Sequence, residues 1–270
     1  MSIRHPAGER IHVRLLGRVD VRGRDRQVHL AGRQAQALFA LLAIDRRRRP
    51  REAIAADLWP DAEGGSTACL RQALWLVKSG LAGAGLDPRG VLEIEPDLLG
   101  LRSEALVELD AAQFEAAARS RPADAERALR LYGGDLAEGL GHECFATERE
   151  RLADLYEDVL AQAAEERLAR GDLDGARNAA ERLLARDPLR EEAHAVLIGV
   201  FAECGTRSQV ARQYRRLRVV LRRELAVDPL PETEAAYRQA LAASLDRSRQ
   251  RLTASDGSIR RLTPTLVVNA

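Results

Sequence analysis

Gly171 and Gly205 stand 34 positions apart, and each follows one apolar helical pattern and precedes another. Two helices and a turn in that length are the tetratricopeptide period. No other feature constrains the chain as much, because one such unit cannot bury its apolar face alone and must stack on a neighbour. With Gly171 as the anchor, Ala176 stands where the second helix needs a small residue and Pro188 where that helix must stop. The next unit offers Leu197, Phe201, Gly205 and Tyr214 at matching places, then departs from the template. There Glu224-Leu225-Ala226-Val227-Asp228-Pro229 delays the closing proline. Stacked helix pairs leave a concave groove of the kind that holds peptides or partner proteins; helices that merely pack a dimer are the other reading.

From Asp110 onward the pattern is helix with few breaks, at Arg121-Pro122, Gly133-Gly134, Gly139 to Gly141, Gly171, Pro188, Gly205 and Pro229. Only 4 % of residues are aromatic. Ala, Leu and Arg dominate, as in packed helices whose interfaces are filled by small and branched aliphatic groups.

Upstream the periodicity differs. Residues 10–30 alternate and are β-branched, with a turn signal at Arg22-Gly23-Arg24-Asp25, and read as an antiparallel hairpin. Residues 33–45 put Ala37, Leu38, Leu41, Leu42 and Ile44 on one helical face, which the run Arg46 to Pro50 closes. A second helix over 51–58 stops at Trp59-Pro60. After the loop 61–65, Ser66 or Thr67 can cap a third helix running to about residue 81. Two apolar segments, 91–94 and 98–101, are split by Glu95-Pro96-Asp97 and read as a hairpin.

The fold class expected is therefore mainly α: an N-terminal winged helix-turn-helix (α+β), then an all-α tetratricopeptide-like domain. The divisions are 1–105, 106–245, and a polar, mobile tail over 246–270. In that tail Arg260-Arg261-Leu262-Thr263 has the make-up of a basic-directed kinase site, with a solvated tail as the plainer reading.

No apolar stretch nears the roughly 20 residues of a membrane span, and the start MSIRHPAGER lacks a signal peptide's apolar core. The expected compartment is the cytoplasm. Cys69, Cys144 and Cys204 are odd in number and far apart, which points to reduced thiols. The net charge of +1 hides an asymmetry: residues 1–105 hold 17 Lys+Arg against 13 Asp+Glu, and the remainder 25 against 28. A basic first third suits a polyanion and an acidic remainder suits proteins.

Enzyme chemistry finds little support. His142-Glu143-Cys144 is the one tight cluster of ligand types and lies in a Gly-rich loop without companions. No Gly-rich phosphate motif with a following Lys and no Ser, His, Asp arrangement is recognisable. No catalytic residue, metal or cofactor is expected.

Three segments together resemble the Streptomyces antibiotic regulatory proteins, which join an OmpR-type winged helix to a bacterial transcriptional activation domain. They are LLGRVDV with GRQAQALFALLAIDRRRRPREAIAADLWPD; STACLRQALWLVKSGL; and DPLREEAH with YRRLRVVLRRELAVDPLPETEAAYRQAL. The resemblance covers about residues 10–245. It implies a DNA-binding activator of a gene cluster, often for secondary metabolism, that binds direct repeats near a promoter and recruits RNA polymerase through its sigma factor and other subunits. A homodimer, alone or on DNA, is compatible with it.

If 66–81 is the recognition helix, Leu70, Leu74, Val77 and Leu81 anchor it, and the opposite face carries Arg71, Gln72, Trp75 and Lys78. Forked donors read base edges in the major groove, so Arg71 and Gln72 are the first choices for base contact. Lys78, one turn on, suits a phosphate, as do Ser66 and Thr67 at the helix start. Trp75 would pack on sugar or a thymine methyl if exposed, and is expected to be partly buried. Arg46, Arg47, Arg48 and Arg49 could pair with phosphates beside the groove, or form a solvated turn. The family's wing reaches the minor groove, which would give that role to Arg102.

The family often has two basic residues late in this helix, where the present chain reads Val77-Lys78-Ser79-Gly80. That departure implies lower affinity, or dependence on a dimer or the polymerase. The alternative function is a protein adaptor or ligand sensor whose winged helix binds DNA weakly.

Overall fold

The computed structural model describes residues 10–259 apart from 25, 63–64, 104 and 121–123, with only the backbone described beyond 245. The chain groups into two compact units, Met1–Tyr156 and Glu157–Ala270.

The first unit opens with strand β1 (Arg10–Arg14), whose alternation buries Ile11 and Val13 and exposes His12. It pairs antiparallel with β2 (Asp20–Arg22), Val13 opposite Val21. The reversal between β1 and β2 lies between residues 14 and 20, at Gly17 with φ +105°. The turn expected at Gly23 follows β2 and is closed by a bridge from Arg22 to Gln27. Gly17 takes a left-handed backbone that a side chain would strain.

Helix α1 (Gly32–Asp45) buries Ala37, Leu38, Leu41 and Leu42, and ends where Arg46 turns left-handed at φ 54°. The two-residue β3 (Arg49–Pro50) leads into α2 (Arg51–Leu58), and α3 (Ser66–Gly83) packs on both α1 and α2. Neither Ser66 nor Thr67 caps α3. The cap is Gly65 at φ +84°, and no side chain bonds the helix start. After the single turn α4 (Pro88–Val91), β4 (Leu92–Ile94) and β5 (Leu98–Leu101) form the wing, with β5 also pairing to β3. These elements are the expected winged helix.

The expected boundary at 105/106 falls inside this unit. Strand β6 (Leu106–Leu109) lies parallel to β1, Ile11 opposite Val107, and α5 (Asp110–Ala118) and α6 (Ala125–Leu131) follow it. The loop after α6 is sewn to the end of β1: Gly17 N donates to Asp135 O at 3.0 Å and Ala137 N to Leu15 O at 2.7 Å. Glycine is required here, since a Cβ on Gly133 would sit 2.9 Å from the Leu16 carbonyl oxygen. Phe114 meets Tyr132 edge-on at 5.1 Å, and Tyr132 stacks on Tyr156 at 3.9 Å. The loop residues Glu143–Phe145 form one 3-10 turn that buries Phe145. Among the described residues no cluster of His, Cys, Asp and Glu could hold a metal ion, and no helix is long and apolar enough to cross a membrane.

Helix α7 (Ala146–Ala169) leads into the second unit, which continues with α8 (Leu173–Arg186), α9 (Glu191–Glu203), α10 (Arg207–Glu224) and α11 (Pro231–Ile259). Gly171 at φ +79° and Gly205 at φ +69° turn the chain between paired helices, at the positions that set the 34-residue spacing. Helix α9 packs against α8, α10 and α11. Its Ile198 and Ala202 meet Val210 of α10 and Ala240 of α11, beside the stacked Tyr214 and Tyr237. A buried polar link crosses this core: Gln213 Nε2 lies 2.8 Å from His194 Nδ1, and His194 Nε2 lies 3.1 Å from the Pro188 carbonyl oxygen.

The tail expected to be mobile from Asp246 has helical backbone to Ile259, because neither proline nor glycine breaks the run before Gly257. Arg260 to Thr263, with the rest of the tail, lies outside the described residues.

Candidate nucleic-acid interface

Helix α3 has two faces with sharply different fates. Leu70, Ala73, Leu74, Val77 and Leu81 are buried, the first, second and last two almost completely. Their 3- and 4-residue spacing is that of one helical stripe. The stripe turned away from it holds Arg71, Gln72, Trp75 and Lys78, all exposed, and none makes a hydrogen bond or ion pair among the described residues. Trp75 is 64 % exposed and thus not partly buried as expected. The turn that buries Ala73, Leu74 and Val77 carries position 75 to the outer face. Thr67 is exposed and Ser66 half-buried at the helix start.

One position near the end of this helix excludes any side chain. A Cβ on Gly80 would lie 2.5 Å from the backbone oxygen of His29. No side chain fits there, which bars a cation from position 80.

The arginine cluster is largely consumed within the fold. Arg46 donates to the Val107 carbonyl at 2.7 Å. Arg48 reaches Glu93 at 3.2 Å and Glu95 at 3.0 Å on the wing. Arg49 pairs with Asp45 and Asp57. Arg47 touches Asp45 at 3.2 Å, yet its side chain remains 89 % exposed. Among Arg47, Arg48 and Arg49 it is the most exposed, against 51 % for Arg48 and 24 % for Arg49.

Arg102 stands at the base of the wing, where Leu101 pairs with Leu92, and its Nε donates to the Arg89 carbonyl at 2.7 Å. The wing tip at the opposite end is Glu95-Pro96-Asp97, strapped to the start of α2 by the Arg51 amide, which donates to Asp97 O at 2.9 Å. A carboxylate-bearing tip repels a phosphate-lined groove. Arg102, to which the resemblance gave the minor-groove role, is exposed and follows the hairpin, at the end away from this tip.

The tip faces a cleft of about 350 Å³ lined by Pro50, Thr67, Arg71, Pro96 and Asp97 among others. Sequence reasoning missed this juxtaposition of wing tip and α3 start. The only hint was that 95–97 is the turn of a hairpin whose far strand must pair somewhere.

Residues 101–241, just over half of the chain, match the bacterial transcriptional activator domain family. The chain belongs to this family. The transcriptional regulatory protein EmbR of Mycobacterium tuberculosis, and that of Mycobacterium bovis, are each 29 % identical to it over 249 residues. Those alignments cover 83 % of this chain and 62 % of the relative, so the chain spans less than two thirds of these relatives. The solved structure of Mycobacterium tuberculosis EmbR in complex with a low-affinity phosphopeptide superposes with a TM-score of 0.67 at 23 % identity. It covers 96 % of this chain and 73 % of that one. At that identity the likeness is one of fold. The fold and family expected from the Streptomyces antibiotic regulatory protein segments agree with these findings.

Proposed function

We propose that this transcriptional regulator binds promoter DNA through the outward stripe of α3 and activates a gene cluster, one for secondary metabolism, by recruiting RNA polymerase with its sigma factor through the helical unit. The observation that carries the reading is the unpartnered row Arg71, Gln72, Trp75 and Lys78 on a helix whose other face is locked into the core. A major groove admits one α-helix.

Arg71 and Gln72 take base edges, with guanine and adenine as their natural partners. Trp75 lies against sugar or a thymine methyl, and Lys78, Arg47 and Thr67 take phosphates. Direct repeats would then be bound by successive copies.

The test is a binding titration on the promoter DNA flanking its own gene, with an unrelated duplex as competitor, at two salt concentrations. Selective retention that Arg71→Ala or Gln72→Ala weakens by about 1–3 kcal/mol at one base position supports the reading. Equal weakening on all sequences moves these two residues to the phosphate class.

One observation favours a second reading, a protein adaptor with weak DNA binding. The acidic wing tip and the internal pairing of Arg46, Arg48 and Arg49 leave few cations beside α3. Absence of retention with and without polymerase selects it.

A further inference from the structure

Helix α10 is the most basic element among those described, with seven arginines and one glutamate in 18 residues. Its inward stripe, Val210, Gln213, Leu217 and Leu221, is buried. On its outward side Arg215, Arg218 and Val219 are exposed, Val219 by 60 %. Neither Arg215 nor Arg218 makes a hydrogen bond or ion pair among the described residues. A cleft of about 460 Å³ opens between α10 and α11, walled by these three side chains with Arg222 and floored by Tyr214 and Tyr237. The two rings stack at 3.9 Å and 5°, so the floor is flat, apolar and rigid.

We infer that this cleft is a docking site for an acidic amphipathic peptide segment of a partner protein. One aliphatic or aromatic side chain enters over the tyrosine pair beside Val219, and its flanking carboxylates meet Arg215 and Arg218. The chain itself displays this chemistry at the cleft's end, where Arg222 grips the carboxylate of Asp228 through both oxygens at 2.7 and 2.8 Å. Arginine's planar fork favours such carboxylates.

A duplex is the other polyanion such a rail could take. It would use the arginines and leave an apolar slot empty, since phosphates have nothing to place on a tyrosine floor. Spacing agrees with a helical guest: Arg215, Arg218 and Arg222 follow one stripe of α10, matching acidic residues three and four apart on the partner. The inference stands apart from the DNA reading, which concerns α3.

The probe is a labelled peptide of about 15 residues with a central Leu flanked by Glu at three- and four-residue spacing, titrated by fluorescence anisotropy against the full chain. A Leu→Ser peptide, a Glu→Lys peptide and a random duplex are run beside it. The expected result is saturable binding of the Leu/Glu peptide, weakened at least about tenfold by R215E/R218E and by the Leu→Ser change.

Both substituted positions are exposed, so circular dichroism should be unchanged. Val219→Asp, equally exposed, should give the same loss and provides a second variant. Three outcomes overturn the inference: no peptide binding, binding indifferent to R215E/R218E, or an effect of that variant on the duplex alone. The variant Arg71→Ala, remote in sequence, should leave peptide binding intact while affecting DNA, which keeps failure of one reading distinct from failure of the other.

Discussion

The backbone amide of Leu15 donates a 2.8 Å hydrogen bond to Oδ1 of Asp110, ninety-five residues further along the chain. The Leu16 amide takes the other oxygen at 3.0 Å, and Ala111 N shares Oδ1 at 2.8 Å. Three amides thus point at one buried carboxylate. Burial pushes this carboxyl up, and the amides with nearby Arg14 pull it down.

Replacement of Asp110 by Asn keeps one acceptor but turns an NH2 toward the Leu16 amide, two donors face to face. Asp110→Asn should therefore destabilise by about 1–3 kcal/mol, read by urea denaturation. A stability equal to that of the parent chain would mean the carboxylate is dispensable.

This latch dictates where the first unit can be cut. A fragment of residues 1–109 keeps β6 but loses the carboxylate and the 133–137 stitch to β1. It should unfold, whereas 1–156 should show a cooperative melt and retain DNA binding. A cooperative melt of both fragments would return the boundary to the end of the wing.

Trp75 has little to lose from the folded state. Trp75→Ala should change stability by less than about 0.5 kcal/mol and cost about 1–2 kcal/mol on a specific duplex, the worth of covering part of an indole. In the parent chain DNA should shift the tryptophan emission to the blue, against a background from half-buried Trp59. An unshifted spectrum at saturation would remove Trp75 from the interface.

Arg47 and Arg48 are neighbours with opposite expected readouts. Arg47→Ala should make the salt dependence of DNA binding shallower by about one ion. Arg48→Ala frees Glu93 and Glu95, costs about 0.2–1 kcal/mol of stability, and should leave the salt slope unchanged. Interchanged behaviour would mean the wing releases Arg48 on DNA.

His194 sets an acid limit on the second unit. Burial holds its imidazole below the ordinary 6.5. A depressed folded value means the neutral form is favoured by folding. Its contribution is whole above about pH 6.5 and is lost as pH falls below that toward the folded value. With Nε2–H donating to Pro188, Nδ1 accepts from Gln213, so a second proton there meets a donor. Denaturation midpoints should fall below pH 6.5 in the parent chain and less so in His194→Gln. Parallel pH profiles would assign the loss to other groups.

Much of α3 was legible because its contacts are local in kind: Leu70, Leu74, Val77 and Leu81 announce a buried stripe through spacing alone, and the four residues opposite are left outside by geometry. Turn chemistry was legible where glycine acts singly, as at Gly171 and Gly205. It also marked the turn at Gly23, but not the earlier reversal at Gly17. The partners of Arg46 and Arg48 lie 61 and 45 residues away, and pattern along one helix says nothing about them. The same distance hid β6, whose four residues read as linker until β1 lies beside them.

Strand β1 leaves the ribosome before its parallel neighbour, which follows later in the same unit. At roughly 5–20 residues per second, about 5–20 s separate Leu15 from Asp110. Until then one edge of β1 is an open row of amides and carbonyls, available to any other nascent strand. Yield in the cell should thus depend on how fast the message is read between these two points. Slow codons there would expose the edge for longer, whereas slow codons after residue 156 would let the first unit close undisturbed.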